Sequence, residues 1–254
     1  AREDKLEQFA GIADRMRRSY AAMVSSMDDA VGRALAAVRE GDEERDTLIF
    51  FLSDNGGPLP GHAGRNGASN APLRGSKLEV WEGGVRVPFL MQWKGRIPAG
   101  AEVSGIVSSM DIAATALAAA GARPDPAKPL DGFDLLPLVE GRAAARRHDA
   151  LFFSFRFLSQ RAARVGEWKW VDIPGRKPPR GAADGAAKPS SYDEGSGLFN
   201  LREDIGETTD LSAAHPAKLE DIRERFAAWM AEMPAPAPDA IVRPGDETDR
   251  KSVV

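Results

Sequence analysis

Thr47-Leu-Ile-Phe-Phe-Leu52 is an unbroken apolar run rich in β-forming residues, with charge before it and Ser53-Asp-Asn-Gly-Gly57 directly after it. A run of this length without alternation reads as a strand buried on both faces, as in a parallel sheet covered by helices. In that architecture ligands collect just beyond the carboxyl ends of strands, which is where Asp54 and Asn55 stand. The run commits the chain to an α/β body and directs attention to one end of it.

The flanking sequence fits such a body. Met16, Tyr20, Met23, Met27, Val31, Ala34 and Val38 recur at intervals of three and four, predicting one long amphipathic helix from Lys5 to Glu40, ended by Gly41-Asp42 and packing its methionine stripe into the core. Val85 to Trp93 reads as a second strand interrupted by Pro88, and Asp111 to Gly121 as an alanine-rich helix with a glycine stop. Leu151–Phe157, Arg161–Val165 and Trp168–Asp172 read as strands, the last two joined by a tight turn at Gly166-Glu167. Strands in succession after an α/β alternation predict a smaller antiparallel sheet. Ile173 to Gly197 reads as a long surface loop, and Leu219, Ile222, Phe226, Trp229 and Met233 mark a terminal helix. The expected division is an α/β body over 1–145, a small subdomain over 146–233, and a disordered tail over 234–254.

Composition narrows the functional classes. The 254 residues are 43% hydrophobic and 28% charged, which is the balance of a folded chain. The 34 basic and 38 acidic residues are interspersed, and the net charge of −4 counts against a nucleic-acid partner. The absence of cysteine removes disulfides, thiolate metal sites and cysteine nucleophiles. No apolar run approaches the roughly 20 residues of a membrane span. The chain opens on Ala1-Arg-Glu-Asp, with neither an initiator methionine nor a signal-peptide pattern, and reads as a processed product or a fragment.

Asp54 and Asn55 offer a carboxylate and an amide carbonyl side by side where a strand releases into a loop. Hard cations such as Ca²⁺ take oxygen ligands of this kind, about six to eight of them, so two residues form part of a shell. Asp-Asn-Gly-Gly also describes an ordinary turn. Lys77 lies between Gly75 and Gly83-Gly84, where backbone approaches a ligand closely and an ammonium reaches an oxyanion; the alternative is a solvated surface charge. His62, in the intervening Gly/Pro loop, is either a substrate contact or an exposed loop histidine.

Taken in order, Tyr20-Ala-Ala-Met-Val-Ser-Ser-Met-Asp-Asp-Ala-Val-Gly32, Ser53-Asp-Asn-Gly-Gly57, Asn70-Ala-Pro-Leu-Arg-Gly-Ser-Lys77 and Trp81-Glu-Gly-Gly-Val-Arg-Val-Pro88 resemble the second half of a type I, formylglycine-dependent sulfatase. Asp131-Gly-Phe-Asp-Leu-Leu-Pro-Leu138, Arg164-Val-Gly-Glu-Trp-Lys169 and Leu198-Phe-Asn-Leu-Arg-Glu-Asp-Ile-Gly-Glu-Thr-Thr-Asp-Leu211 are similar to later landmarks of that family, extending the resemblance to about Met233. It implies part of an alkaline phosphatase-like α/β sandwich with a smaller C-terminal antiparallel sheet and a terminal helix. It also implies that Asp54 and Asn55 ligate Ca²⁺, that Asp54 helps deprotonate the nucleophile, and that Lys77 holds a sulfate oxygen and offsets its growing charge. Trp81, Glu82 and Arg86 are then expected to position the loop.

The family's nucleophile is a formylglycine made within a Cys/Ser-x-Pro-x-Arg motif, and this chain has no cysteine and no Ser-x-Pro-x-Arg. The resemblance therefore implies that the nucleophile, further calcium ligands and further sulfate contacts come from an N-terminal half. The chain alone is expected to lack turnover, to bind calcium weakly and, with an uncovered edge and apolar face, to aggregate, self-associate or depend on the missing half. The implied substrate is a sulfated aryl compound or glycan, and export to the periplasm or cell exterior accords with the family. Two other readings stay open: a phosphate or phosphonate monoester hydrolase on the same fold, and a non-catalytic binding module.

Overall fold

The structure is a computed structural model and describes residues 1–58, 66–142, 148–155, 159–173 and 195–233. Residues 174–194 and 234–254, expected from the sequence to be a surface loop and a disordered tail, lie outside the described residues, as does His62.

The N-terminal helix is broken in two, α1 at Glu3–Gln8 and α2 at Arg15–Glu40, instead of running unbroken from Lys5. Asp14 explains the break, since its side chain caps α2 by accepting from the Arg17 N–H at 2.7 Å. Lys5 joins the halves through an ion pair to Asp29 at 2.7 Å and a hydrogen bond to Ser25 at 3.0 Å. The methionine stripe does not enter a core in this chain: Met23 is 57% and Met27 47% exposed, and Ala22 is the fully buried residue of the helix.

Strand β1, Ile49–Leu52, pairs antiparallel with β2, Phe89–Gln92. This corrects the expectation of a doubly buried strand in a parallel sheet, because β2 is its strand neighbour among the described residues and Phe51 and Leu90 remain exposed. The strand expected from Val85 begins only at Phe89, and Glu82–Val85 forms a short helical turn, α3. Helices α4 (Asp111–Ala119) and α5 (Leu136–Val139) follow, stitched together by Asp111 and Thr115. Asp111 accepts from Phe133 N–H at 2.8 Å and contacts His148 Nε2 at 2.7 Å, while Thr115 Oγ accepts from Leu135 N–H at 3.0 Å.

The second sheet is a meander of β3 (Ala150–Phe155), β4 (Gln160–Val165), β5 (Trp168–Ile173) and β6 (Gly195–Asn200), all antiparallel. Gly166 turns the β4–β5 hairpin at φ 58, a conformation that favours glycine. Strand β6 occupies residues assigned from the sequence partly to the preceding loop. Helix α6, Pro216–Glu232, packs Ile222 and Phe226 onto Ala163, Trp170 and Leu198 on one sheet face. The opposite face carries Ala162, Val171, Ile173 and Phe199, and it is covered by Val80 and Trp81 from the segment that follows Lys77. That packing places the small sheet directly behind the candidate site.

Candidate active site

Asp54 and Asn55 lie at the carboxyl end of β1, where the Ser53 hydroxyl donates to the Asn55 carbonyl at 2.8 Å and folds the chain into a turn. Asp54 is exposed, and its Oδ1 accepts from both the Asn55 N–H (2.9 Å) and the Asn55 side-chain amide (3.0 Å). With the amide N–H groups of Asn55 turned toward Asp54 and the Gly56 carbonyl, its side-chain oxygen is the atom suited to a cation. These donors fit a hard cation in kind and supply two groups of its shell; no cluster of three or more His, Asp or Glu able to hold a metal occurs among the described residues.

The turn is fixed to two other segments. Gly56 donates to the Gly84 carbonyl at 2.9 Å, and a Cβ at Gly56 would meet the Gly83 carbonyl oxygen at 1.7 Å. Only glycine permits that approach. Asn70 grips the next residue from the side, accepting from Gly57 N–H and donating to Gly57 C=O, both at 2.8 Å, while also donating to Gly75 C=O at 3.0 Å. Lys77 N–H then reaches the Gly57 carbonyl at 3.4 Å, which sets the lysine backbone beside the Asp54–Asn55 turn. The structure thus brings together the two segments carrying Asp54–Asn55 and Lys77; His62 lies outside the described residues.

Behind these segments is a buried charge cluster. Lys169 Nζ, with no exposed surface, donates to Glu82 Oε1 at 2.9 Å and lies 2.9 Å from Glu207 Oε1. The second ion contact is close but poorly aligned as a hydrogen bond, since Glu207 Oε1 has no aligned donor. Glu82 also pairs with Arg86 at 2.6 Å and has Arg164 at 3.8 Å. Burial pushes the Glu82 carboxyl up, but Lys169, Arg86 and Arg164 together hold it below the ordinary carboxylate value. For Glu207 burial prevails over Lys169, and the carboxyl is raised. Gln160 completes the dock, accepting from Val80 N–H at 3.1 Å and donating to Leu78 C=O at 3.2 Å.

Asn70, Lys169 and Glu207 escaped the sequence reading as individual residues. Lys169 had a readable signal: it alternates with Val171 and Ile173 on one strand face, and a lysine in a buried apolar register demands a carboxylate partner. The partner's identity had no comparable local signal, because Glu82 is 87 positions away.

Residues 2–122 match the family model described as Sulfatase. The chain carries a sulfatase-family domain over these residues. It is 34% identical to the steryl-sulfatase of Mus musculus over 253 residues, an alignment covering 92% of this chain and 40% of that protein. To the N-acetylgalactosamine-6-sulfatase of Sus scrofa it is 33% identical, covering 85% and 43% respectively. Its fold matches the crystal structure of Ps i-CgsB in complex with k-i-k-neocarrahexaose, with a TM-score of 0.74 and 30% identity over 90% of this chain and 46% of that one. A further match is the PsFucS1 sulfatase from Pseudoalteromonas sp., with a TM-score of 0.66 and 27% identity over 83% of this chain and 42% of that one. The chain spans less than half the length of these sulfatase-family relatives. Their alignments extend well past residue 122, so the antiparallel sheet and α6 are included in the likeness.

Proposed function

We propose that this chain is the C-terminal part of a sulfatase that hydrolyses sulfate esters of aryl or carbohydrate substrates. The observation that carries the proposal is the clamp by which Asn70 and Gly84 hold the Asp54–Asn55 turn against the backbone of Lys77. In this reading Asp54 and Asn55 would give oxygen ligands to Ca²⁺, and Asp54 would be the group placed to take up a proton when the nucleophile is activated. Lys77 takes one sulfate oxygen and offsets the charge that grows as the ester S–O bond breaks. A bound hard cation supplies neutralising charge at the sulfate, and a formylglycine in an N-terminal half supplies the attacking hydroxyl. His62 stands as a candidate substrate contact.

The 30% identity to a protein solved with a neocarrahexaose supports a sulfated glycan as substrate. Export to the periplasm or the cell exterior fits a polymer of that kind and is testable by fractionation. Turnover of a sulfate ester, a sulfated oligosaccharide and a phosphate ester by the whole protein, with and without Ca²⁺, tests the reading. Calcium-dependent sulfate release that is lost in Lys77→Ala is expected. Preference for the phosphate ester would overturn it in favour of phosphoryl transfer, and failure to bind calcium or turn over either ester would favour a non-catalytic module.

A further inference from the structure

Glu207 lies in the loop between β6 and α6, fully buried and with a left-handed backbone (φ 52) that is uncommon for a glutamate. Its contacts reach both segments that frame the candidate site. The Glu207 carbonyl accepts from Arg74 Nη1 at 3.0 Å, one carboxylate oxygen accepts from the Glu82 N–H at 2.7 Å, and the other meets Lys169. Arg74 opens the segment ending in Lys77, and its own carbonyl accepts from Gly83 N–H at 2.6 Å. Glu82 opens the turn whose Gly84 carbonyl receives the Gly56 N–H.

We propose that Glu207, with Lys169 as its counter-ion, is a positioning residue that sets the spacing between the Asp54–Asn55 turn and Lys77. This rests on the reading of those three residues as the sulfate-ester site. A buried ion group of this kind adds little stability over well-packed apolar residues, so the effect proposed for it is to hold the segments it joins in one arrangement. Arg86 and Arg164 face Glu82 from α3's end and β4, so the cations on that carboxylate come from three elements, whereas Lys169 is the cation paired with Glu207. The C-terminal sheet thereby enters the site's geometry without supplying a group to it.

Amide hydrogen exchange in Glu207→Gln tests this directly, because glutamine retains an acceptor for the Glu82 N–H and loses the charge that holds Lys169. Trp229→Ala is the comparison: Trp229 stacks on Phe152 at 5.3 Å beneath α6, on the opposite sheet face from Lys169. Exchange at Gly56, Gly57 and Lys77 is expected to rise about tenfold relative to Ala120 in Glu207→Gln, and to keep its wild-type ratio in Trp229→Ala. A rise shared equally by Ala120, or equal ratios in the two variants, would overturn the proposal. Should Glu207→Gln not fold, Arg74→Lys is read by the same ratio, with a rise of about threefold expected from loss of the fork that reaches Glu207. In the whole protein, kcat/KM for a sulfate ester is expected to fall at least about tenfold in Glu207→Gln and to hold in Trp229→Ala. The exchange ratios need no turnover, so wild-type inactivity with altered ratios would sink the sulfatase reading and leave the positioning role standing.

Discussion

The two sheets of this chain are built to different standards of closure. Strands β3–β6 are covered on both faces, by α6 on one and by Val80–Trp81 on the other, and β4, β5 and β6 each carry fully buried residues while β3 is partly buried along its length. Strands β1 and β2 pair with each other and leave Phe51 at 38% and Leu90 at 57% exposed, with Met23 and Met27 of α2 equally open. A patterned apolar surface without cover marks an interface or an aggregation hazard. The difference teaches that the C-terminal sheet holds the candidate site in place from behind, while the apolar side chains of the first sheet are available to a further layer.

The sharpest way to break this picture is at its hub. Lys169→Met leaves Glu82 and Glu207 buried without their shared cation, and a loss of about 3–5 kcal/mol is expected in urea unfolding. A loss below about 1 kcal/mol would show that the cluster is solvated in solution.

The contrast between sheets is sharpened by a matched pair. Ile222→Ala removes a fully buried side chain beneath the second sheet and is expected to cost roughly 2–5 kcal/mol, against about 0.5 kcal/mol or less for Leu90→Ala on the first. Equal costs would mean that Leu90 is covered in solution, by self-association or by chain outside the described residues. Sedimentation at several concentrations separates those two outcomes.

The same division governs what the sequence disclosed. Alternation and turn chemistry located β3, β4 and β5 within a few residues, because these strands pair with their neighbours in sequence, and α6 was legible from the helical spacing of its own apolar residues. The ordered motifs from Ser53 to Pro88 disclosed the family and the candidate Asp54, Asn55 and Lys77. The antiparallel partner of β1 was not legible, since an apolar run announces burial and leaves open the direction of its neighbour. The helical turn at Glu82–Val85, which takes in the first residue of the strand expected from Val85, was not legible because Gly83 and Gly84 serve close backbone contact with Arg74 and Glu79, a demand set by tertiary packing. Glu207 was invisible for a related reason: its partners lie 125 and 133 positions away.

Asn70 gives an intermediate effect. Asn70→Ala strips two hydrogen bonds from Gly57 and one from Gly75, and about 1–3 kcal/mol of local stability is expected to go with them. In hydrogen exchange the Gly57 and Lys77 amides should lose protection while those of β4 and β5 keep theirs. Loss of protection across the second sheet as well would show that the site and the sheet unfold as one unit, contrary to the division drawn above.

The smallest expected effect is the dependence on pH, and its sign differs between the two buried carboxyls. Glu82 is held below its ordinary value of 4.5, so its contribution is fully present above that value and is lost as pH falls through the folded-state pKa. Glu207 is raised above 4.5, so the folded state binds its proton more tightly than the unfolded chain does, and stability is lost as pH rises from about 4.5 through the folded-state pKa. Replacing Glu207 by Gln should therefore flatten the decline on the alkaline side of that value, and replacing Glu82 by Gln should flatten the decline on the acid side. Denaturation midpoints from pH 3 to 8 read both slopes. Identical slopes in the two variants would mean that Lys169 is shared evenly between the carboxyls. The asymmetry has a geometric source: Glu82 adds Arg86 and Arg164 to the cation it shares, whereas Glu207 meets Lys169 with one poorly aligned oxygen and spends the other on a backbone N–H.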